Sequence, residues 1–346
     1  MTQTGSTLSL EQAQPAQTAS DAALIALDWG TTSLRAYLFD AHGAVLETRA
    51  SPAGIMNLPR PAAEGGFDAA FDAVVGPWLD SAPDLPVIAA GMVGSAQGWK
   101  EAPYVNAPAS ADALVAGIVR VPTARGVALN IVPGVLQNGE LPNVMRGEET
   151  QIFGALACAA PSAAGKGLLI GLPGTHAKWV MVRDAQIERF DTFMTGEVFA
   201  ALSEHTILGR TMVTPDRPDT DAFLRGVRVA RDKGRAGVLA TIFSTRTLGL
   251  TGQLAREQQP DYLSGLLIGH ELSGLEAALA QQQSTLAGGS LQLIGNEALC
   301  ERYQLALAQF GCHQAELVKQ ATERGLWRIA AQAGLVSEAS DAARAT

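Results

Sequence analysis

The chain is expected to fold as α/β layers divided between two similar domains that face each other across a cleft. Three observations predict this. Strand, glycine-threonine turn and strand follow one another from Leu24, the same plan returns from Leu168, and helical periodicity fills the stretches between and after. The first copy reads ALIALDW, GTTS, LRAYLFD, AHG, AVLETRAS, and the second LLIGLP, GTH, AKWVMV, RDA, QIERF. Gly30 precedes the turn residue Asp40 by ten positions, and Gly174 precedes Asp184 by ten. Equal spacing reads as an internal duplication, although Gly-Thr hairpins are common enough to coincide. Two copies each followed by helices give two domains, and a cleft between domains is where ligands bind.

In chain order, residues 1–21 lack a periodic apolar pattern and are expected to form a disordered tail. A first domain spans 22–145 and a second 146–320, with a helix in 321–346 returning toward the first. Helices are predicted over Phe67 to Leu79, Ala111 to Val119, Glu148 to Ala157, Glu197 to Ile207, Tyr262 to Leu279 and Glu297 to Gln309.

Composition sets the outer limits. With 47% hydrophobic and 17% charged residues, the 346-residue chain has enough apolar material for one or two packed domains. A formal net charge of -9 argues against a nucleic-acid partner, which needs a concentrated basic face. No run reaches the roughly 20 apolar residues of a bilayer span, and the N-terminus lacks the basic start of a signal peptide. No membrane partner is therefore expected. Cys158, Cys300 and Cys312 are too few for a disulfide framework or a four-ligand zinc site, so a cytoplasmic location is expected. Nothing in the text fixes the oligomeric state, and a homo-oligomer is left open.

The turn DWGTTSLR, Asp28 to Arg35, puts small residues where backbone N–H groups can converge on an anion. Gly30, Thr31 and Thr32 are the candidate phosphate contacts. Asp28 ends an apolar strand, where a carboxylate is costly unless it serves a cation, and Mg2+ held through water would supply one. A tight hairpin capped by Asp28 would read the same way. The second copy, GLPGTHAK, repeats the pattern with Gly174, Thr175 and Lys178 but has no counterpart of Asp28. His176 beside that turn is either a phosphate contact or a hydrogen-bonded structural residue. Neither GxxxxGK[ST] nor GxGxxG occurs.

With these words in order, the chain resembles the sugar kinase, heat-shock chaperone and actin superfamily. That resemblance implies two ribonuclease-H-like domains in an actin-like ATPase fold, with ATP and Mg2+ in the cleft. Leu293 to Leu307, LIGNEALCERYQLAL, looks like the superfamily's adenosine element, which makes Gly295 and Asn296 adenosine contacts. Within the superfamily, GIMN at Gly54, GMVGSAQGWKEAPYVNAPA at Gly91, RGEETQIFGAL at Arg146 and LPGTHAKWV at Leu172 resemble the 2-dehydro-3-deoxygalactonokinase family. The similarity covers Leu24 to about Gly334 and implies a small sugar acid as substrate, phosphorylated on its C6 hydroxyl.

Such a substrate needs polar contacts and an apolar wall. The candidates are Asn57, Ser95, Gln97, Trp99, Tyr104 and Asn106, with core packing as the other reading of the two aromatics. Lys100 and Arg146 are both candidates for the substrate carboxylate. Phosphoryl transfer also asks for a carboxylate to accept the hydroxyl proton. The superfamily places that base at the start of the helix before its second phosphate loop, where this chain has Glu148 and Glu149 in place of the usual Asp. Glu149 is taken as the acceptor with Glu148 as the alternative, and the helix dipole alone would also favour acids there. A nucleotide-switch ATPase or a phosphatase of the same fold would share the nucleotide motifs. A kinase for another sugar acid is the nearest rival.

Overall fold

A computed structural model describes residues 21–157 and 167–337. Residues 1–20 of the expected N-terminal tail and Cys158 lie outside them. The first lobe opens with β1 (Ala22–Trp29), β2 (Leu34–Asp40) and β3 (Val45–Ser51), an antiparallel meander. Helix α1 (Gly66–Ser81) and strand β4 (Val87–Ala90) follow, with β4 parallel to β1. Next come β5 (Val105–Asn106), α2 (Ala111–Ala116), β6 (Val119–Pro122), β7 (Ala128–Ile131), β8 (Val135–Gln137) and β9 (Asn143–Met145). The main sheet has the order β3-β2-β1-β4-β7-β6, and β5-β8-β9 form a small sheet beside it.

Helix α3 (Glu148–Leu156) leads into the second lobe: β10 (Leu168–Leu172), β11 (Ala177–Arg183) and β12 (Gln186–Phe193). The helices α4 (Thr195–His205), α5 (Thr220–Lys233), α6 (Val238–Thr241), α7 (Ser244–Leu250) and α8 (Gln259–Ala280) come next. Strand β13 (Ser290–Leu293), α9 (Glu297–Ala308), β14 (Ala315–Leu317) and α10 (Ala321–Gln332) complete the chain. The second sheet runs β12-β11-β10-β13-β14, with β10, β13 and β14 parallel. That matches β3-β2-β1-β4-β7 strand for strand and direction for direction. The duplicated hairpins therefore begin two ribonuclease-H-like sheets, and the chain has the actin-like ATPase fold.

Alternation along each central strand decides what packs where, because successive side chains point to opposite faces. In β1, Ile25, Leu27 and Trp29 join Phe67, Phe71 and Val75 of α1 on the outer face. Leu24 and Ala26 join Ile152 and Phe153 of α3, Leu326 and Ile329 of α10, and Ile170 of β10 on the inner face. Both sheets thus share one core around the pair α3 and α10. Behind the second sheet, α8 and α9 bury Leu272, Leu275, Tyr303 and Leu307.

The pair α3 and α10 crosses backbone to backbone at Gly154 and Gly325. A Cβ at Gly154 would stand 1.9 Å from the Ala321 carbonyl oxygen, and one at Gly325 would stand 1.9 Å from that of Thr150. A second tie joins the lobes at one side. Ala109 and Ile187 exchange backbone hydrogen bonds of 3.0 and 2.9 Å, and the Gln137 side chain accepts from the Phe190 N–H at 2.6 Å.

The helix expected over Ala111 to Val119 ends at Ala116, and Val119 starts β6. Gly117 stops the helix, and the β-branched, Pro-terminated VRVP favours an edge strand. The other predicted helices stand within three residues of their expected ends. Unforeseen are α5, α6 and α7, together with β4, the short strands β5 to β9, and β14.

The glycine crossing makes a stability prediction. Gly154→Ala should destabilise the protein by at least about 1–3 kcal/mol in denaturant unfolding, the scale of overpacking. Gly139→Ala, with nothing near its added methyl, should change stability by less than about 0.5 kcal/mol. Equal effects for the two would contradict the close crossing.

Candidate active site

The first hairpin turn is built on its own backbone. The Gly30 N–H donates to the Ser33 carbonyl at 2.9 Å, and Gly30 and Thr31 carbonyls accept from Ile55 and Met56 at 3.1 and 3.0 Å. Asn57 Nδ2 donates to the Thr32 carbonyl at 3.2 Å. The word GIMN thus braces the loop from behind. The second turn is fixed by Glu197, whose N–H donates to the Thr175 carbonyl at 3.0 Å, and by Ile294, whose N–H donates to Gly171 at 2.9 Å.

Both turns open onto one cavity of about 400 Å³. Asp28, Gly30, Thr31, Gly91 and Met92 line it from the first lobe, Gly174, Thr175 and His176 from the second, and Arg146 and Glu148 from the connection between them. A second cavity of about 490 Å³ adjoins it and shares Gln151, Ile294, Gly295 and Thr322. Arg35, Tyr37, Asn296, Lys319 and Glu323 line that one. Asn296 also caps α9, its side chain accepting from Leu299 N–H at 3.1 Å.

Asp28, next to last in β1, sits directly across the hairpin from Arg35, and their charged groups stand 4.0 Å apart. A third of the Asp28 side chain is exposed, but its carboxyl lies deep among protein atoms. That desolvation raises its pKa, Arg35 lowers it, and the nearby Glu323 and Glu148 raise it further. Tyr37, on the same strand as Arg35, is pushed up to about 12, chiefly by burial and then by Glu323.

The two glutamates that open α3 have different surroundings. Glu148 faces the cavity, accepts the Arg146 N–H at 3.0 Å and lies 3.4 Å from the Lys178 ammonium. Glu149 has no exposed surface and lines neither cavity. It accepts from the Gly147 N–H at 2.7 Å and from Thr150 Oγ1 at 3.2 Å. Burial first and the charge of Glu148 second push its pKa up to about 8.

Lys178 is itself buried on β11 and donates to the His176 carbonyl at 3.2 Å, while the His176 ring pairs with Glu197. Of the expected phosphate contacts, Gly30, Thr31, Gly174 and Thr175 line the first cavity, whereas the exposed Thr32 and the buried Lys178 do not. The expected substrate contacts Asn57, Ser95, Gln97, Trp99, Tyr104 and Asn106 line neither cavity. Trp99 instead fills an aromatic cluster, stacked on Phe67 at 5.7 Å and edge-on to Trp29 and Phe71 at 5.9 Å. Tyr104 carries the Arg146 guanidinium over its ring at 4.3 Å. Ser95 is buried, Gln97 is exposed, and Asn106 accepts from Asn138 Nδ2 at 2.7 Å.

Sequence reasoning missed Arg35, Gln151, Thr322 and Glu323 as cavity residues. Arg35 had a readable signal, since closing the hairpin over the turn sets it opposite Asp28. Thr322, which accepts from Gln151 Nε2 at 3.0 Å, reaches the site only through the long-range return of α10.

Among the described residues, no cluster of three or more His, Cys, Asp or Glu could cage a metal ion. Asp28 and Glu148 are the two carboxylates of the first cavity, a donor set that suits Mg2+ shared with phosphates and water. Also among the described residues, no helix is long and apolar enough to cross a membrane.

A family profile described as 2-keto-3-deoxy-galactonokinase matches residues 28–329. The 2-dehydro-3-deoxygalactonokinase of Escherichia coli (strain K12) is 38% identical over 290 residues, which are 83% of this chain and 90% of that protein. A provisionally named 2-dehydro-3-deoxygalactonokinase of Rhizobium meliloti (strain 1021) is 38% identical over 292 residues, 83% of this chain and 89% of that protein. A crystal structure from Sinorhizobium meliloti, provisionally named for the same activity, superposes with a TM-score of 0.78 at 35% identity. That match covers 89% of this chain and 98% of the other.

The pKa of Glu149 carries a sign that can be checked. Its folded value of about 8 lies above the ordinary 4.5, so the folded state holds this proton when the unfolded chain has lost it. Stability from this group is full below pH 4.5 and is lost as pH rises toward 8. Glu149→Gln, which mimics the protonated form, should melt higher than the parent at pH 8, with the gap closing toward pH 5. A gap that does not change with pH would contradict the buried, protonated carboxyl.

Proposed function

The chain belongs to the 2-keto-3-deoxy-galactonokinase family, and on that premise we propose that its cleft binds Mg-ATP and phosphorylates the C6 hydroxyl of 2-dehydro-3-deoxy-D-galactonate. The observation that carries this reading is the convergence of both glycine-threonine turns and the Glu148 carboxylate on one cavity. As a carbohydrate kinase of galactonate catabolism it uses ATP.

Thr31, Gly174 and Thr175 hold the phosphates through backbone and hydroxyl donors, which fits their position at the cavity wall, and Gly30, whose N–H is used within the turn, leaves room for the phosphate to approach. Arg35 and Lys319 offer charge to the phosphate chain along the second cavity, where Gly295 and Asn296 meet the nucleoside. Asp28, with Glu148 beside it, would hold Mg2+ through water. Bound there, the ion would neutralise charge on the transferring group. The raised pKa of Asp28 suits a carboxyl awaiting a cation.

Glu148 is the proton acceptor in this reading, in place of Glu149. Its support is position: it reaches the cavity, whereas Glu149 is sealed beneath it. The substrate oxygen attacks the γ-phosphorus, its proton passes to Glu148, and the bond to the β-phosphate oxygen breaks to release ADP. Lys178 holds the Glu148 carboxylate in place from the buried side. Glu149 receives the Gly147 N–H and secures the first turn of α3. A cytoplasmic setting fits the buried free thiols Cys300 and Cys312.

Release of ADP, followed with a panel of sugar acids and neutral sugars, tests the activity. Glu148→Gln should lower kcat on the preferred acid by roughly two to four orders of magnitude, the scale of a lost general base, with ATP affinity little changed. Glu149→Gln should retain most of its turnover. A collapse confined to Glu149→Gln would return the base to that residue, and ADP release without any acceptor sugar would favour a nucleotide switch.

A further inference from the structure

The substrate has an anionic end as well as the hydroxyl that is phosphorylated, and the inference here rests on the kinase reading above. The cations of the cleft are mostly engaged. Lys178 faces Glu148, Arg35 faces Asp28, Lys319 pairs with Glu297 at 2.9 Å, and His176 pairs with Glu197. Arg146 differs: among the described residues it has no carboxylate within ion-pair distance, although it lines the first cavity together with Met92 and Glu148. Lys100, the other candidate for the acid group, is exposed and lines neither cavity.

The Arg146 side chain is held as if for a ligand. Its Nη2 donates to the Ala102 carbonyl at 2.9 Å, and the guanidinium lies 4.3 Å from the centre of the Tyr104 ring. Its Nε and Nη1 are buried atoms with no hydrogen-bond partner, as is Ser95 Oγ. A buried guanidinium with two unpaired nitrogens is costly, since its donors have given up water for nothing. Such a group is normally completed by a carboxylate or phosphate, to which a planar guanidinium offers a directional fork.

We propose that Arg146 binds the substrate carboxylate and is the residue that selects a sugar acid over a neutral sugar. Tyr104 is a positioning residue for it. The stack fixes the plane of the guanidinium and the Ala102 bond fixes its reach; Nε and Nη1 have no exposed surface, Nη1 lying beside Gly94, so the acid draws this unpaired edge toward the cavity as it binds. This assigns a role to GMVGSAQGWKEAPYVN that differs from direct contact by its aromatics. The segment holds the cation, and the cation meets the acid.

The test compares the sugar acid with its C1 amide, which keeps shape and loses charge, in the parent, Arg146→Gln and Arg146→Lys enzymes. Steady-state kinetics should be paired with calorimetric binding of acid, amide and ATP. The parent should prefer acid to amide on the order of 100-fold in kcat/KM, the range for truncating a buried charge pair. Arg146→Gln should abolish that preference through a raised KM for the acid, with the amide and ATP unaffected. Arg146→Lys should recover only part of the preference, because a point charge lacks the fork and the stack. If Arg146→Gln does not fold, Tyr104→Leu keeps the charge and should raise KM for the acid alone.

An unchanged acid preference in Arg146→Gln would overturn the proposal, and so would an equal loss of acid and amide. A fall in ATP affinity matching the loss would also overturn it, by giving the guanidinium to the nucleotide. The binding arm separates this proposal from the kinase reading. Tight acid binding by the parent without phosphoryl transfer would remove the activity, whereas equal acid binding by parent and Arg146→Gln would remove the role of Arg146.

Discussion

The contact on which the site depends is the backbone crossing of α3 and α10 at Gly154 and Gly325. Two sheets from a duplicated hairpin must share one core, and the thickness of what lies between them sets the distance between their loops. Two glycines let the helices touch without side chains intervening. The N-terminus of α3 then presents Arg146, Gly147 and Glu148 to the cleft, and the N-terminus of α10 presents Thr322 and Glu323. A wider crossing would draw the two glycine-threonine turns apart and take Glu148 out of reach of both.

That geometry concentrates acids. Asp28, Glu148, Glu149 and Glu323 lie near one another, and the pKa values of Asp28 and Glu149 both rise, from burial and from the neighbouring carboxylates. The two adjacent glutamates illustrate how environment divides labour between like groups. One is kept at the cavity wall beside Lys178, and the other is sealed beneath it and holds its proton toward pH 8. Helix polarity alone would have treated them alike.

Much of the fold was legible because it is local. The strand-turn-strand words at Leu24 and Leu168, with ten residues from glycine to turn aspartate in each, predicted two sheets whose strand orders agree. The two glycine-threonine turns were legible as turns for the same reason, and Gly30, Thr31, Gly174 and Thr175 line one cavity where the hairpins open. The choice between Glu148 and Glu149 was not, because adjacent positions at a helix start differ by about 100° in facing, and which face is open depends on β11 and α10. Nor was the polar-aromatic run from Gly91 to Asn106 readable as to depth. Trp99 has the composition of a sugar platform, but its neighbours Trp29, Phe67 and Phe71 come from distant positions and enclose it.

The most direct measurement is a crystal structure with a non-hydrolysable ATP analogue, Mg2+ and the sugar acid. The account predicts the triphosphate between Gly30-Thr31 and Gly174-Thr175, with the Glu148 carboxylate nearest the acceptor hydroxyl and Glu149 still buried. Phosphates held away from either turn, or a hydroxyl facing a carboxylate other than Glu148, would contradict it.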